Sequence, residues 1–304
     1  MNHLLSIHDL NRDDIANVLK TAKALQKKPQ PEALKGKIIA LCFFEPSTRT
    51  RLSFETAVLR LGGQTIGFSD TTALSTAKGE SLQDTIRMIS SYADAIVIRH
   101  PLEGAARLAA EVSSIPVINA GDGANQHPTQ TLLDLFTINE AFGKLEGLHL
   151  GIMGDLKHGR TVHSLVEAAA HFDMRLYFVA GDPSCTLPPY LLEYLKLQGV
   201  RFSFHREVKE IVPKLDVLYL TRLQKERLSG PADSRVNLGS PWSHYQCLSL
   251  DDLNGAKTHL KILHPLPRQE ELPVAIDATP YAHYFEQAKN GIVVRKAILL
   301  GALT

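Results

Sequence analysis

The sequence predicts an α/β protein with two doubly wound parallel-sheet domains and an active site in the cleft between them. Short apolar runs alternate with segments of helical periodicity, as in parallel sheets covered by helices. One long helical segment, residues 128–143, interrupts this rhythm before a second alternating series begins. The length of 304 residues allows about two domains of ordinary size. Because ligands of such sheets bind outside the carboxyl ends of the strands, we expect functional residues there.

The elements of the first half follow a β-α-β-α-β-α-β order. Each predicted strand is a short apolar run, and the runs lie at residues 37–44, 64–69, 94–100 and 115–121. Each predicted helix has apolar residues at helical spacing, and the helices lie at residues 49–63, 80–93, 103–113 and 128–143. Gly62 and Gly63 supply a stop signal for the first of these helices.

The second half repeats the alternation. Its predicted strands lie at residues 148–154, 174–181, 200–205, 217–221 and 259–267, the last of which runs into a proline-rich turn. Its helical segments lie at residues 161–172, 188–199, 207–216 and 280–303, with the Asn290-Gly291 pair as a candidate break in the last one. Residues 229–250 are rich in Gly, Pro and Ser and predict a mobile loop. We therefore expect one domain from residues 1–140 with 286–304, and another from residues 141–285.

Composition and charge argue against several classes of protein. The chain has 33 Lys plus Arg and 32 Asp plus Glu, and a formal net charge of +1 does not suit a nucleic-acid-binding surface. Its three cysteines are far apart, so we expect neither a disulfide framework nor a zinc site, and we infer a reducing compartment. The first residues do not resemble a secretory signal, and no run approaches the about 18 apolar residues of a membrane span. We therefore expect a cytoplasmic protein with no membrane or nucleic-acid partner.

The segment FEPSTRTRLSFE, residues 44–55, is the strongest candidate binding site. Three hydroxyl groups and two guanidinium groups occupy residues 47–51, between a predicted strand and a predicted helix. The free N–H groups and the dipole of a helix start bind anions, and hydroxyl groups and an arginine fork add donors for phosphate oxygens. The alternative is a solvated helix start with a serine cap. Five such residues in a row favour the phosphate site.

Polar residues also follow two other predicted strands of the first half. Arg99 and His100 end the strand of residues 94–100, while His127 and Gln130 open the long helix. An imidazole can donate to a carbonyl oxygen, and a glutamine side chain can pair with an amide. Taken singly, each of these residues also suits a charged surface or a packed helix start. Their placement at one edge of one predicted sheet favours a shared site.

In the second half, arginines occupy comparable positions. Arg160 follows the segment GDLKHG, and Arg222 ends the strand of residues 217–221, with Gln224 two positions later. Two arginines at strand ends suggest a substrate that carries carboxylates, although surface charge is the alternative for each. The HPLP segment, residues 264–267, predicts a stiff turn whose carbonyl groups face the cleft or only pack.

Several familiar motifs are missing from the sequence. There is no GxSxG nucleophile elbow and no GxxxxGK[ST] loop. The segment GIMGDLKHG has two glycines, Gly151 and Gly154, where a dinucleotide fingerprint needs three. No HExxH motif or Cys/His cluster suggests a metal. We therefore expect no cofactor, no metal and no covalent protein nucleophile.

Taken together, the motifs identify a family. The chain resembles the catalytic chains of the aspartate carbamoyltransferases, in the aspartate/ornithine carbamoyltransferase superfamily, over essentially its whole length. The motifs that carry the resemblance are FFEPSTRTRLSFE, STAKGES, IVIRHP, NQHPTQTLLDLF, GDLKHGRTVHS, LTRLQKER and LHPLPR, in this order. The resemblance implies transfer of the carbamoyl group of carbamoyl phosphate to the amino group of L-aspartate, a step of pyrimidine (UMP) biosynthesis. The products are N-carbamoyl-L-aspartate and phosphate.

The resemblance also assigns a role to each candidate residue. The implied catalytic residues are Arg49, Thr50, Lys78, Arg99 and His127. The implied phosphate ligands are Ser47, Thr48, Arg49 and Thr50, and the groups around the carbamoyl moiety are Thr50, Arg99, His127 and Gln130. The implied aspartate ligands are Arg160, Arg222, Gln224 and the backbone carbonyl groups of Pro265 and Leu266.

Further implications of the resemblance concern partners. Ser75 and Lys78 would reach the site of a neighbouring subunit, which implies a homotrimer with shared active sites. Related chains also assemble with a zinc-binding regulatory chain, as two catalytic trimers with three regulatory dimers. Two departures from the family pattern concern the loop of residues 229–247, which looks longer, and the spacing around Ser75.

Two alternative functions stay open at this stage. An ornithine-type carbamoyltransferase shares the STRTR segment, but it shows a Cys-Leu-Pro turn where this chain has the HPLP segment. A cationic acceptor would also require acidic residues where Arg160 and Arg222 lie. A non-catalytic homologue would have lost some of the catalytic residues that the resemblance assigns, and this chain keeps all of them.

Overall fold

The structure, a computed structural model, describes residues 2–69, 79–180, 185–222 and 247–303. It consists of two compact units, which we call unit 1 (Met1–Phe136 with Lys289–Thr304) and unit 2 (Thr137–Ala288). Each unit contains one sheet in which every pair of neighbouring strands is parallel. The predicted fold class, two parallel-sheet α/β domains, is confirmed. No helix in the described ranges combines the length and the apolar character needed to cross a bilayer.

Unit 1 is built on a four-stranded sheet with the order β2-β1-β3-β4. Its strands are β1 (Ile38–Phe43), β2 (Gln64–Phe68), β3 (Ala95–His100) and β4 (Val117–Asp122). Its helices are α1 (Arg12–Lys27), α2 (Thr48–Arg60), α3 (Leu82–Ser90), α4 (Ala105–Val112), the first part of α5 (Pro128–Phe142) and, from Lys289 onward, most of α8 (Tyr284–Leu303). The four strands and the helices that follow them lie where the sequence predicts them.

The central strand β1 shows why these elements form. Residues 39–43 are all buried, as expected for a parallel strand that is covered on both faces. Ala40 and Cys42 pack on one face of the sheet with Ile86 of α3 and with residues of β3 and α4. Alternate side chains of a strand point to opposite faces, so Ile39 and Leu41 fill the other face.

Helix α1 is an element that the sequence analysis missed. Asn11 and Asp14 form a capping box: each side chain accepts a hydrogen bond from the backbone N–H of the other, at 2.9 and 3.0 Å. The buried face of α1 has apolar residues at helical spacing, namely Ile15, Val18, Leu19, Ala22 and Leu25. Both signals are present in the sequence, so this helix could have been predicted.

Unit 2 contains a five-stranded sheet with the order β7-β6-β5-β8-β9. Its strands are β5 (His149–Met153), β6 (Arg175–Val179), β7 (Phe202–His205), β8 (Val217–Leu220) and β9 (Lys261–Leu263). Its helices are α6 (Arg160–Ala169), α7 (Pro189–Leu197) and the first turn of α8 (Tyr284–Leu303). One apolar cluster joins the sheet to the chain that follows it, and it includes Tyr177, Leu218, Ile262 and Tyr284.

Two details of the second half differ from the prediction. Residues 207–216 form two short 3₁₀ helices, Val208–Glu210 and Val212–Lys214, because Pro213 lacks the N–H group that a continuous helix needs. Helix α8 runs from Tyr284 to Leu303 without the candidate break at Asn290-Gly291. Most of the predicted loop, residues 229–246, lies outside the described residues.

Both sheets contain a point at which the strand order reverses. In unit 1 the chain adds β2 on one side of β1 and then β3 and β4 on the other side, so the reversal lies between β1 and β3. In unit 2 the chain adds β6 and β7 on one side of β5 and then β8 and β9 on the other, so the reversal lies between β5 and β8. Open parallel sheets bind ligands at the carboxyl ends of the strands at such reversals.

Candidate active site

The start of α2, directly after β1, contains the first cluster of predicted site residues. Ser47 is the N-cap residue, and Thr48, Arg49 and Thr50 form the first turn. The Ser47 side chain accepts no capping hydrogen bond from the N–H groups of α2, so its hydroxyl group can contact a ligand. Thr50 is buried, whereas Thr48 and Arg49 are exposed. The first N–H groups of α2, its dipole and these side chains therefore offer hydrogen-bond donors and positive charge of the kind that can bind an anion.

Arg99 lies at the end of β3, next to this cluster. The backbone pairs Phe43 of β1 with Arg99, and the N–H group of Phe44 donates to the carbonyl oxygen of Arg99 at 2.8 Å. The Nε atom of Arg99 lies 3.0 Å from Oε2 of Glu45, and both side chains are mostly buried. This ion pair places a partly shielded cation at the carboxyl end of β3. The pairing of Glu45 with Arg99 was not predicted from the sequence.

A buried carboxylate organises the loop between β4 and α5. Asp122 accepts hydrogen bonds from the Asn119 amide and from the N–H group of Gly104, both at 2.8 Å. It also accepts from the Asn125 amide at 3.0 Å and from the N–H group of Gln126 at 3.2 Å. These bonds give the loop one conformation and deliver the next residue of the chain, the predicted site residue His127, to the start of α5.

His127 and Gln130 are both buried at this helix start. Nδ1 of His127 lies 3.4 Å from Oγ1 of Thr129, and the His127 carbonyl group accepts from the N–H group of Gln130 at 3.0 Å. Nε2 of Gln130 donates to Oδ1 of Asp134 at 2.8 Å. Asp134 is fully buried and lies close to the buried Arg295 of α8. Asp134 and Arg295 were missed, although each is a charge within an apolar helical stretch, TLLDLF and IVVRKAILL.

In unit 2, Arg160 and Arg222 both follow strands that flank the reversal point. Arg160 is the first residue of α6, where it is buried, and Arg222 comes two residues after the end of β8. The N–H group of Thr221 donates to the Met153 carbonyl group of β5 at 2.9 Å. A Cβ atom at Gly154 would lie 2.1 Å from the carbonyl oxygen of Thr221, so glycine permits this close approach. The backbone of both arginines therefore lies near the ends of two neighbouring strands, β5 and β8.

The HPLP turn follows β9, and buried side chains hold it. The N–H group of Leu266 donates to Nδ1 of His264 at 2.8 Å, and Leu266 has a φ angle of +57°, which is rare for a residue with a side chain. The His264 N–H group donates to Oε1 of Gln287 at 2.8 Å. The carbonyl groups of Pro265 and Leu266 therefore belong to a turn with fixed geometry.

The predicted residues thus fall into two clusters, one in each unit. Unit 1 places its members at the carboxyl ends of β1, β3 and β4, and they are Ser47, Thr48, Arg49, Thr50, Arg99, His127 and Gln130. Unit 2 places its members after β5, β8 and β9, and they are Arg160, Arg222, Pro265 and Leu266. Ser75, Lys78 and Gln224 lie outside the described residues. In the described ranges no three His, Cys, Asp or Glu side chains are grouped as metal ligands.

Two family models match nearly the entire chain. The model of the aspartate/ornithine carbamoyltransferase carbamoyl-P binding domain matches residues 2–140. The model of the aspartate/ornithine carbamoyltransferase Asp/Orn binding domain matches residues 146–301. The chain belongs to the aspartate/ornithine carbamoyltransferase family. The two clusters described above each fall within one of these matched domains.

Solved structures of carbamoyltransferases resemble this chain along its full length. The catalytic subunit of M. jannaschii aspartate transcarbamoylase is 46% identical, with a TM-score of 0.88 over 100% of this chain and 98% of that chain. Trypanosoma cruzi aspartate transcarbamoylase in complex with carbamoyl phosphate and aspartate is 38% identical, with a TM-score of 0.93 over 100% and 97%. The same enzyme in complex with N-(phosphonacetyl)-L-aspartic acid is 37% identical, with a TM-score of 0.92 over 100% and 96%.

Proposed function

We propose that this carbamoyltransferase transfers the carbamoyl group of carbamoyl phosphate to the α-amino group of L-aspartate. The observation that carries the proposal is the placement of an anion-binding helix start at one sheet reversal and of two arginines at the other. Similar proteins have been solved with carbamoyl phosphate and aspartate bound, which supports the same substrates here. We assign carbamoyl phosphate to residues 1–140 with 286–304, and aspartate to residues 141–285.

The phosphate group would bind at the start of α2. Backbone N–H groups of the first turn and the hydroxyl groups of Ser47, Thr48 and Thr50 offer donors to its oxygens. Arg49, which is exposed there, adds a fork of two donors and a positive charge. Charge-assisted donors that are already in place also stabilise the phosphate as it leaves.

The carbamoyl group would lie between the ends of β1, β3 and β4. Thr50, Arg99 and His127 can donate to its carbonyl oxygen, on which negative charge grows as the amine attacks. Loss of one such donor typically lowers the rate by about 10²–10³. The amine nitrogen forms a bond to the carbamoyl carbon, the bond from that carbon to the phosphate oxygen breaks, and the departing phosphate accepts the amine proton. No protein nucleophile takes part.

Aspartate would bind in unit 2. Arg160 and Arg222, with Gln224, offer donors to its two carboxylates, since an arginine fork matches a carboxylate in shape and charge. The carbonyl groups of Pro265 and Leu266 would accept from the amino group. Holding the amine near the carbamoyl carbon makes the reaction effectively unimolecular.

We also propose a homotrimer in which Ser75 and Lys78 complete the site of a neighbouring subunit. The edge strand β2 supports an interface, because its residues are mostly exposed and include Ile66. Met88 and Tyr92, in and just after α3, are exposed large hydrophobic residues of the same unit. Mixing inactive Arg49→Ala chains with inactive Lys78→Ala chains should restore activity if sites are shared. A mixture that stays inactive would contradict shared sites.

Three finer proposals rest on the family resemblance. The product would enter pyrimidine (UMP) biosynthesis, and a zinc-binding regulatory chain would join two catalytic trimers through three regulatory dimers. We place the protein in the cytoplasm, which the three free cysteines support. Sedimentation of the purified chain, with and without a candidate regulatory chain, tests the assembly.

An assay with two acceptors tests the main proposal. Purified protein is incubated with carbamoyl phosphate and either aspartate or ornithine, and the ureido product is measured. We expect product from aspartate only, because a cationic acceptor would be repelled by Arg160 and Arg222. Product from ornithine alone would support the alternative, an ornithine-type carbamoyltransferase. Product from neither acceptor would contradict both.

Two variants separate catalysis from folding in this assay. Arg49→Ala should lower the rate by about 10²-fold or more, since it removes a charged donor from the phosphate. Arg201→Ala removes another exposed arginine, which pairs with Asp173 in unit 2, and it should leave activity unchanged. Full activity of Arg49→Ala would contradict the proposed phosphate site.

A further inference from the structure

We propose that Asp134 and Arg295 are positioning residues that fix the Gln130 side-chain amide, so that the site selects an amino group over a methyl group. The inference rests on the proposed function, because Gln130 is the residue assigned to the carbamoyl nitrogen. It adds two buried residues, outside the substrate contacts, that determine which atom of Gln130 faces the ligand.

The orientation of the Gln130 amide follows from its hydrogen bond to Asp134. Gln130 and Asp134 are four residues apart on α5 and so share one face of the helix. Nε2 of Gln130 lies 2.8 Å from Oδ1 of Asp134. An ionised carboxylate only accepts hydrogen bonds, so the amide must direct its nitrogen toward Asp134. Within the described part of the chain no group donates to Oε1 of Gln130, and this oxygen is left as an acceptor.

Arg295 supplies a buried positive charge that interacts electrostatically with Asp134. Asp134 is 0% exposed and Arg295 is 3% exposed, so neither charge is hydrated by bulk water. Burial lowers the pKa of Arg295 to about 10, and the Asp134 charge opposes this lowering. The guanidinium group is therefore still protonated at neutral pH. A positive charge favours the ionised form of a nearby carboxyl group, and the ionised form is the acceptor that the Gln130 orientation requires.

Gly291 leaves space for the guanidinium group of Arg295. A Cβ atom at Gly291 would lie 2.2 Å from Nη1 of Arg295, so any other residue there would force the guanidinium group to shift. The Arg295 Cζ atom lies 5.0 Å from the centroid of the Phe54 ring, and Phe54 belongs to α2. Arg295 thus touches the helix whose start forms the proposed phosphate site and lies close to Asp134 on the helix that carries Gln130.

The fixed amide predicts selectivity at one atom of the ligand. A carbamoyl nitrogen donates hydrogen bonds and needs an acceptor, which Oε1 of Gln130 provides. A methyl group in its place leaves Oε1 without a partner, and sites built for a hydrogen bond reject analogues that lack it. If the amide were free to rotate, its Nε2 atom would also face the ligand and this discrimination would weaken.

Two stable phosphonates test the inference. Phosphonoacetamide and 2-oxopropylphosphonate differ only in an amino group that replaces a methyl group, and their dissociation constants are measured by calorimetry on the whole protein. The wild type should prefer phosphonoacetamide. Asp134→Asn keeps the shape of the side chain but can both accept and donate hydrogen bonds. It should therefore raise the dissociation constant of phosphonoacetamide about tenfold and change that of 2-oxopropylphosphonate by less than about twofold.

Controls exclude a general loss of structure. Thr131→Val removes a fully buried hydroxyl group of the same helix that has no partner among the described residues. It should leave the ratio of the two dissociation constants unchanged. If Asp134→Asn fails to fold, as judged by its melting temperature, the double variant Asp134→Asn with Arg295→Met removes both charges and should show the same lower ratio.

The outcomes distinguish the inference from the proposed function. An unchanged ratio in a folded variant, or an equal loss for both ligands, would overturn the positioning role. A wild type that binds neither phosphonate and carbamoylates no aspartate would instead overturn the proposed function.

Discussion

His264 and Glu271 form a buried hydrogen bond in unit 2, with Nε2 of His264 3.0 Å from Oε1 of Glu271. The two side chains are 1% and 4% exposed. Burial alone would raise the pKa of Glu271, but hydrogen bonds from His264 and from backbone N–H groups outweigh it and lower the pKa. An ionised Glu271 holds the proton on Nε2, so Nδ1 of His264 is the ring atom that accepts from the N–H group of Leu266. The pair therefore supports the φ angle of +57° at Leu266.

Two substitutions at His264 separate the halves of this arrangement. His264→Asn keeps a side-chain acceptor near the Nδ1 position. His264→Gln instead places its side-chain amide near the Nε2 position and leaves no acceptor near Nδ1. We expect His264→Gln to raise the KM for aspartate about tenfold and to lower the free energy of unfolding by about 1–3 kcal/mol, because the Leu266 N–H group loses its buried partner. His264→Asn should raise the KM less. Steady-state kinetics and urea unfolding measure both effects, and equal KM values in the two variants would contradict the role of Nδ1.

A second prediction concerns acid stability. Asp277 accepts two hydrogen bonds from Arg268 and one from Tyr284, and these lower its pKa from 3.8 to about 2. A carboxyl group whose pKa is lower in the folded state stabilises the fold above its ordinary pKa, and this contribution is lost as the pH falls through the folded value. Between about pH 4 and pH 2, Asp277→Asn should therefore lose stability less steeply than the wild type.

Urea unfolding at several pH values measures this slope. Asp173→Asn is the matched control, because Asp173 pairs with Arg201 on the surface and both side chains are mostly exposed. Exposed ion pairs contribute little to stability, so this variant should keep the wild-type slope. Identical slopes for the wild type and Asp277→Asn would show that the Arg268 pair does not control acid stability.

A third prediction tests the close approach of β5 and β8. Gly154 has a φ angle of +125°, and a Cβ atom there would meet the Thr221 carbonyl oxygen at 2.1 Å. Gly154→Ala should push the end of β8 away, lower the free energy of unfolding by about 2–4 kcal/mol and raise the KM for aspartate, because Arg222 follows Thr221. Gly147 also has a positive φ, +71°, but open space around it.

Gly147→Ala is therefore the control for backbone strain alone. Gly147→Ala should lower the free energy of unfolding by about 1 kcal/mol and leave the KM for aspartate unchanged. If both variants lost the same stability and kept the same KM, the contact between Gly154 and Thr221 would have no role in aspartate binding.

The local signals of the sequence explain how far the fold and the site could be predicted. The positions of Ser47, Arg99 and Arg222 could be predicted because each lies at or after the carboxyl end of a strand that its own apolar run predicts, and the parallel strands of one sheet end at one edge. The electrostatic interaction of Asp134 with Arg295 could not be predicted from the sequence, since it depends on the packing of two helices that are far apart along the chain. Gly291 suggested a helix break by its composition, but it serves the close approach of Arg295 instead.

The last prediction separates capping from ligand binding at two helix starts. Ser47 is the N-cap residue of α2 but makes no capping bond through its side chain, whereas Asn11 caps α1 through a 2.9 Å bond from the Asp14 N–H group. Ser47→Ala should therefore change the free energy of unfolding by less than about 0.5 kcal/mol, yet weaken phosphonoacetamide binding about tenfold, because it removes a donor to the phosphonate.

Asn11→Ala should show the opposite result. It loses a cap and should cost about 1 kcal/mol of stability, while the dissociation constant of phosphonoacetamide stays unchanged. Urea unfolding and calorimetry on the two variants give all four values. If Ser47→Ala lowered stability as much as Asn11→Ala and bound the phosphonate normally, Ser47 would be a helix cap and not a phosphate ligand.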